Sequence, residues 1–133
     1  MPAPRDNKPQ IQRKFWRSTE YRDQVNPENP NRVRGSVKDS LKRFLSSKRT
    51  NPQQSYGNKD YPFTSAGQFA HEVPGLMHAH LSQDLSIVYK VQGNEIYLFG
   101  IFSHADLGTG NPPNIRKQTS MARRFANMTF TEE

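Results

Sequence analysis

The stretch GLMHAHLSQDLSIVYKVQGNEIYLFGIFS, residues 75–103, decides the fold of this chain. Three runs within it, 75–81, 85–91 and 95–103, are rich in β-branched and aromatic residues. Such side chains pack well on a pleated surface. Ser82-Gln83-Asp84 separates the first pair, and Gln92-Gly93-Asn94 the second, where Gly-Asn suits a two-residue hairpin turn. The pattern predicts an antiparallel meander. With Gly93-Asn94 as the turn, Val91 faces Ile96, Tyr89 faces Leu98 and Ile87 faces Gly100. On the opposite face Lys90 meets Tyr97, and Val88 meets Phe99. With 82–84 as the first turn, Leu81 faces Leu85, His80 faces Ser86 and His78 faces Val88. Alternation then puts His78 and His80 on the Val88/Lys90 face, away from Ile87, Tyr89 and Val91. The aliphatic face is expected to pack on helices and the histidine face to be open.

Upstream, GSVKDSLKRFLSSKR (35–49) carries Val37, Leu41, Phe44 and Leu45 as one apolar stripe, the signature of an amphipathic helix. Ser36 offers an N-cap hydroxyl, and Lys48 and Arg49 sit where the helix dipole favours cations. Asn51-Pro52 ends it, and NPENPN (26–31) is a breaker cluster that cannot continue a helix. IQRKFW (11–16) alternates weakly enough to begin a strand. Residues 51–74 read as a long polar connection without structure, a length more often functional than passive. Beyond Gly110, NPPN breaks the chain, and KQTSMARRFANM (117–128) suggests a short basic helix with Met121, Phe125 and Met128 as its stripe. The expected organisation is a flexible basic arm over 1–9, one domain over 10–108, and a basic C-terminal extension over 109–133.

The apolar share is 32% of 133 residues, with ten prolines and no cysteine. Disulfides and thiolate chemistry are excluded, which leaves imidazole, carboxylate, phenol and hydroxyl groups. No apolar run approaches the roughly 18 residues a membrane helix needs, and the N-terminus lacks a signal peptide's hydrophobic stretch. A cytoplasmic protein with no membrane partner is expected. The net charge of +7 is unevenly spread. Residues 1–59 hold 14 Lys and Arg against five acidic residues. Residues 60–107 hold only Lys90 against Asp60, Glu72, Asp84, Glu95 and Asp106, and all four histidines, 71, 78, 80 and 104, lie there. Residues 108–133 are basic again, with four cations against two carboxylates. Basic flanks around a histidine-bearing centre suit a polyanion held electrostatically with chemistry in the middle, although solvated charge alone would give the same count. A metal site on His78, His80 and His104 has H-x-H spacing but no convincing further ligand, so none is expected.

The run HLSQDLSIVYKVQGNEIYLFGIFSHADL (80–107) resembles the C-terminal half of the RelE-superfamily bacterial toxins, of the YafQ branch. The resemblance rests on His80, Asp84, the strand IVYKV, the QGN turn, IYLFG and the closing Ser103-His104-Ala105-Asp106-Leu107. It implies a small single α+β domain whose antiparallel sheet packs on N-terminal helices on one face. It also implies an endoribonuclease that cuts mRNA, commonly in the ribosomal A site, without cofactor or metal, and that a cognate antitoxin neutralises. Matched residue by residue, His80, Asp84 and His104 occupy catalytic positions. His104 is assigned as the acid, His80 as the base, and Asp84 as orienting an imidazole or acting as base. His71, His78, Lys90, Tyr97, Arg116, Arg123 and Arg124 are candidate accessory or substrate contacts. One departure stands out: where the family carries an arginine four residues before the closing histidine, this chain has Gly100, and no arginine occurs between Arg49 and Arg116. Three function classes follow: a ribonuclease, an RNA- or ribosome-binding module without catalysis, and a protein-interaction domain.

Overall fold

The structure, a computed structural model, describes residues 13–56, 60–63 and 67–133; the expected arm over 1–9 lies outside them. The elements are β1 (Lys14–Ser18), α1 (Thr19–Val25), α2 (Gly35–Thr50), β2 (Asp60–Pro62), α3 (Gly67–Glu72), β3 (Met77–His80), β4 (Leu85–Gln92), β5 (Glu95–Ser103), α4 (His104–Leu107), α5 (Ile115–Ala126) and β6 (Phe130–Glu132). The strands form one sheet in the order β2-β3-β4-β5-β1-β6. The α+β class is as expected. The sheet is mixed, however, because β1 runs parallel to β5 and only its other neighbour, β6, is antiparallel to it.

The meander forms the centre of the sheet. His78 pairs with Val88 and His80 with Ser86, while Val91, Lys90 and Tyr89 pair with Ile96, Tyr97 and Leu98. Beyond Tyr89 the register shifts, so that Val88 pairs with Gly100 and Ile87 with Ile101. The expected pairs Val88–Phe99 and Ile87–Gly100 do not form. Phe99 is the extra residue of a β-bulge, which resets the alternation of everything after it. Leu98 and Ile101 then share one face, and Phe99 and Phe102 the other. Gly100 makes this geometry possible: its φ is +152°, and a Cβ there would lie 2.8 Å from the Phe102 ring. Because β1 stops at Ser18, the bulged segment loses its strand neighbour on that side. Two side chains replace it. Ser18 donates its hydroxyl to the Phe99 carbonyl (2.6 Å) and caps α1 by accepting from the Tyr21 N–H (3.0 Å). The Gln24 amide donates to the Ile101 carbonyl and accepts from its N–H. Buried backbone groups are thereby satisfied without a ladder.

Each face of the sheet carries its own core. Phe15, Ile87, Tyr89, Ile96, Leu98 and Ile101 pack with Tyr21 of α1 and with Leu41 and Phe44 of α2. Val88, Phe99 and Phe102 pack with Phe69 of α3 and with Met121, Ala122 and Phe125 of α5. The histidine face is therefore covered over much of its area, not left open, since Val88, Phe99 and Phe102 are as apolar as their counterparts opposite.

Three local expectations change as well. The connection over 51–74 contains β2 and α3. The N-cap of α2 is Arg34, which makes no side-chain cap bond, and Ser36 lies in the first turn. Lys48 continues the stripe of Leu41 and Phe44 one turn on and is turned inward, not toward the helix end. Its ammonium donates to Asp60 (2.7 Å) and to the Gln54 carbonyl (2.6 Å), with both charged side chains buried. Asp60 also accepts from the Tyr56 N–H (3.0 Å) and from the Tyr89 hydroxyl, so β2 is riveted to α2 and β4. Burial and this bond push the Tyr89 phenol far above its usual range.

Candidate active site

The meander carries two histidines on adjacent positions of one β3 face, and the end of β5 delivers a third. The ring centroids of His78 and His80 are 5.4 Å apart, and those of His80 and His104 are 5.5 Å apart. The row runs along β3 past Val88 and Ser86, which pair with His78 and His80, to the end of β5. His104 belongs to a tightly capped turn. Ser103 accepts from the Asp106 N–H, and Gly108 closes α4 in the left-handed region at φ +75°. A Cβ at Gly108 would sit 2.5 Å from the Asn114 carbonyl, which keeps α5 close behind the histidine. Asn114 caps α5 by accepting from the Lys117 N–H.

Each ring has a distinct environment. His104 Nδ1 lies 3.1 Å from the Thr109 hydroxyl, a contact that orients the ring. Asp84 Oδ1 accepts from the backbone N–H of His104 (3.3 Å), so the carboxylate holds the start of α4 through the main chain. His78 stacks on Phe63 at 4.3 Å and 29°, and its buried Nδ1 has no hydrogen-bond partner. Burial, reinforced by His80 and His104, lowers its pKa to about 4, against opposing help from the Tyr61 backbone and Asp60. His78 is thus neutral at physiological pH and serves as a wall of the site. Tyr61, on the edge strand, flanks His78 at 5.8 Å and His80 at 6.1 Å.

The remaining candidates are not gathered at this row. His71 is exposed at the end of α3, and no ring contact joins it to the other three. Lys90 and Tyr97 line a cleft of about 290 Å³ with Glu72, Phe99, Phe125 and Phe130, toward the opposite end of β4. Tyr97 stacks on Trp16 at 6.0 Å. Arg116 lies in the first turn of α5 and Arg123 in its last, both exposed, and Arg124 is paired with Glu20. Among the described residues, no group of three or more His, Cys, Asp or Glu side chains could hold a metal ion. No helix among them is long and apolar enough to cross a membrane.

Sequence reasoning passed over Tyr61 and Thr109. Tyr61 and Phe63 do alternate as a strand should, but Pro62 between them argues against a central strand and is tolerated only because β2 is an edge. Thr109 carries no signal beyond its place five residues after His104.

Comparison with solved structures identifies the architecture. A chain of the Escherichia coli DinJ–YafQ toxin–antitoxin complex superposes with a TM-score of 0.54 at 20% identity, over 73% of this chain and 98% of that one. YafQ from E. coli gives a TM-score of 0.50 at 19% identity, over 72% and 98%. The chain has the YafQ toxin fold. No family model matches it, and no curated protein matches it in sequence. At this identity the likeness to YafQ establishes fold, and the chemistry must be argued from the residues themselves. At Gly100 of this chain the Phe102 ring fills the space a side chain would need.

Proposed function

We propose that the protein is a toxin-type endoribonuclease that cleaves mRNA, on the translating ribosome at its A site, and that an antitoxin protein restrains it. The observation that carries this reading is the meeting of His80 and His104, 24 positions apart in sequence, with ring centroids 5.5 Å apart. Two imidazoles at this separation can serve the two proton transfers of RNA cleavage. His80 takes the proton of a ribose 2′-OH as its oxygen bonds to the adjacent phosphorus. His104 protonates the 5′-oxygen as the P–O5′ bond breaks, which leaves a 2′,3′-cyclic phosphate. Histidine suits both steps because its ordinary pKa lies near working pH. Thr109 keeps His104 Nδ1 occupied, which directs Nε2 to the substrate, and Asp84 holds the turn that presents the ring.

A second reading has its own support. Position 100 carries no cation and a side chain there would meet the Phe102 ring, and loss of one preorganised cation costs several kcal/mol of transition-state stabilisation. An RNA- or ribosome-binding module that does not cut would fit that feature. Cleavage of mRNA in a reconstituted translation reaction decides between them. His80→Ala and His104→Ala are each expected to slow cutting roughly 100-fold or more while ribosome binding persists. A wild-type protein that binds ribosomes but leaves mRNA intact would establish the binding module instead.

A further inference from the structure

Tyr61 is, with Ile115, one of two large hydrophobic side chains exposed among the described residues, at 47% of its surface. Its place is unusual for an exposed ring. It lies directly across from His78 in the β2–β3 ladder, and its centroid is within about 6 Å of both His78 and His80. Its chain neighbours are fixed. Asp60 is held by Lys48, Tyr89 and the Tyr56 N–H, and Phe63 is buried against Phe69 at 4.5 Å. Among the described residues β2 is the outer strand of the sheet, and none of them adds a strand on its outer side. An aromatic face clamped at both ends and presented beside an imidazole loses little freedom on binding, which is what makes a good platform.

We infer that Tyr61 stacks a nucleobase of bound RNA next to the phosphate that His80 and His104 address. The ligand class follows from the chemistry: every base has a π-face that an exposed tyrosine can cover, and such stacking tolerates any sequence. The ring is a binding group, and Asp60 and Lys48 act as positioning residues behind it. This inference rests on the ribonuclease reading for its ligand, and its test is a binding measurement that does not require cutting.

The experiment uses the full chain and short RNA oligonucleotides made uncleavable by 2′-O-methyl groups, each with one position made abasic in turn, and reads dissociation constants by fluorescence anisotropy. Tyr61→Leu keeps apolar cover over His78 but removes the π-face, and it should weaken binding by roughly tenfold or more. Tyr61→Phe should restore wild-type affinity within about threefold, since stacking does not need the hydroxyl. One abasic position should weaken wild type as much as Tyr61→Leu does and leave Tyr61→Leu unaffected, as a shared interaction requires. Unchanged affinity in Tyr61→Leu, or abasic penalties that simply add to it, would overturn the assignment and make Tyr61 a lid on His78. Wild type that binds these RNAs but cuts no mRNA would remove the nuclease reading and leave the stacking result standing. Wild type that binds none of them would overturn the stacking inference, while mRNA cutting in the translation reaction decides the nuclease reading separately.

Discussion

Gly100 shows how far one residue's backbone can reach. Its φ of +152° and the Phe102 ring 2.8 Å from any Cβ mean that no side chain fits there without rebuilding β5. Gly100→Arg, which would put back the arginine expected from resemblance, should therefore lower unfolding stability by roughly 2–4 kcal/mol in urea titration without raising cleavage. A substitution that left stability intact would mean that the bulge can absorb the side chain. His78 gives a second residue-scale test. Its folded pKa of about 4 lies below the ordinary 6.5, so above pH 6.5 it is neutral whether folded or not. As pH falls below 6.5 the unfolded chain takes the proton and the native one resists it, and stability declines until about pH 4. Across that window the wild type should lose on the order of 2 kcal/mol more than His78→Phe, allowing for the partial exposure of the ring. Parallel pH profiles for the two proteins would contradict the burial argument.

At the scale of elements, the short edge strand β2 depends on a charged pair that has left water. Removing one partner strands the other in the interior, which costs more than the pair itself contributes. Asp60→Asn should destabilise the protein by about 3 kcal/mol or more, and adding Lys48→Met to that variant should recover most of the loss. Equilibrium unfolding of the three proteins checks both steps; a double variant no better than the single would place the cost elsewhere. This pair also marks the limit of what sequence could tell. The meander was legible because alternation and turn residues agree over 29 consecutive residues, 75–103, and the α2 stripe because its spacing is regular. Lys48 was not, because a lysine on an apolar stripe looks like a helix-end cation until its partner 12 residues on is known. Phe99 was not, because a bulge changes register without changing composition. In the site, His80 and His104 were visible as residue types within a pattern, whereas Tyr61 depends on an edge strand that Pro62 disguises.

The whole molecule is a sheet between two cores, with its histidine-bearing segment poor in cations and its flanks rich in them. The flanks are not separate from the fold. The second sheet core draws on Met121 and Phe125 of α5, and β6 lies along β1, where Glu133 donates its N–H to the Phe15 carbonyl (2.8 Å) and pairs with Arg17 and Arg49. This adjacency has a consequence in time. β1 is the first described strand to be made, yet it pairs with residues 95–98 and 130–132. The hairpin between β4 and β5 can close on its own within microseconds, while β1 must wait for partners some eighty and more than a hundred residues later. Assembly should therefore run from the middle outward: the meander closes first, and the first described strand waits for β5 and then gives β6 its edge.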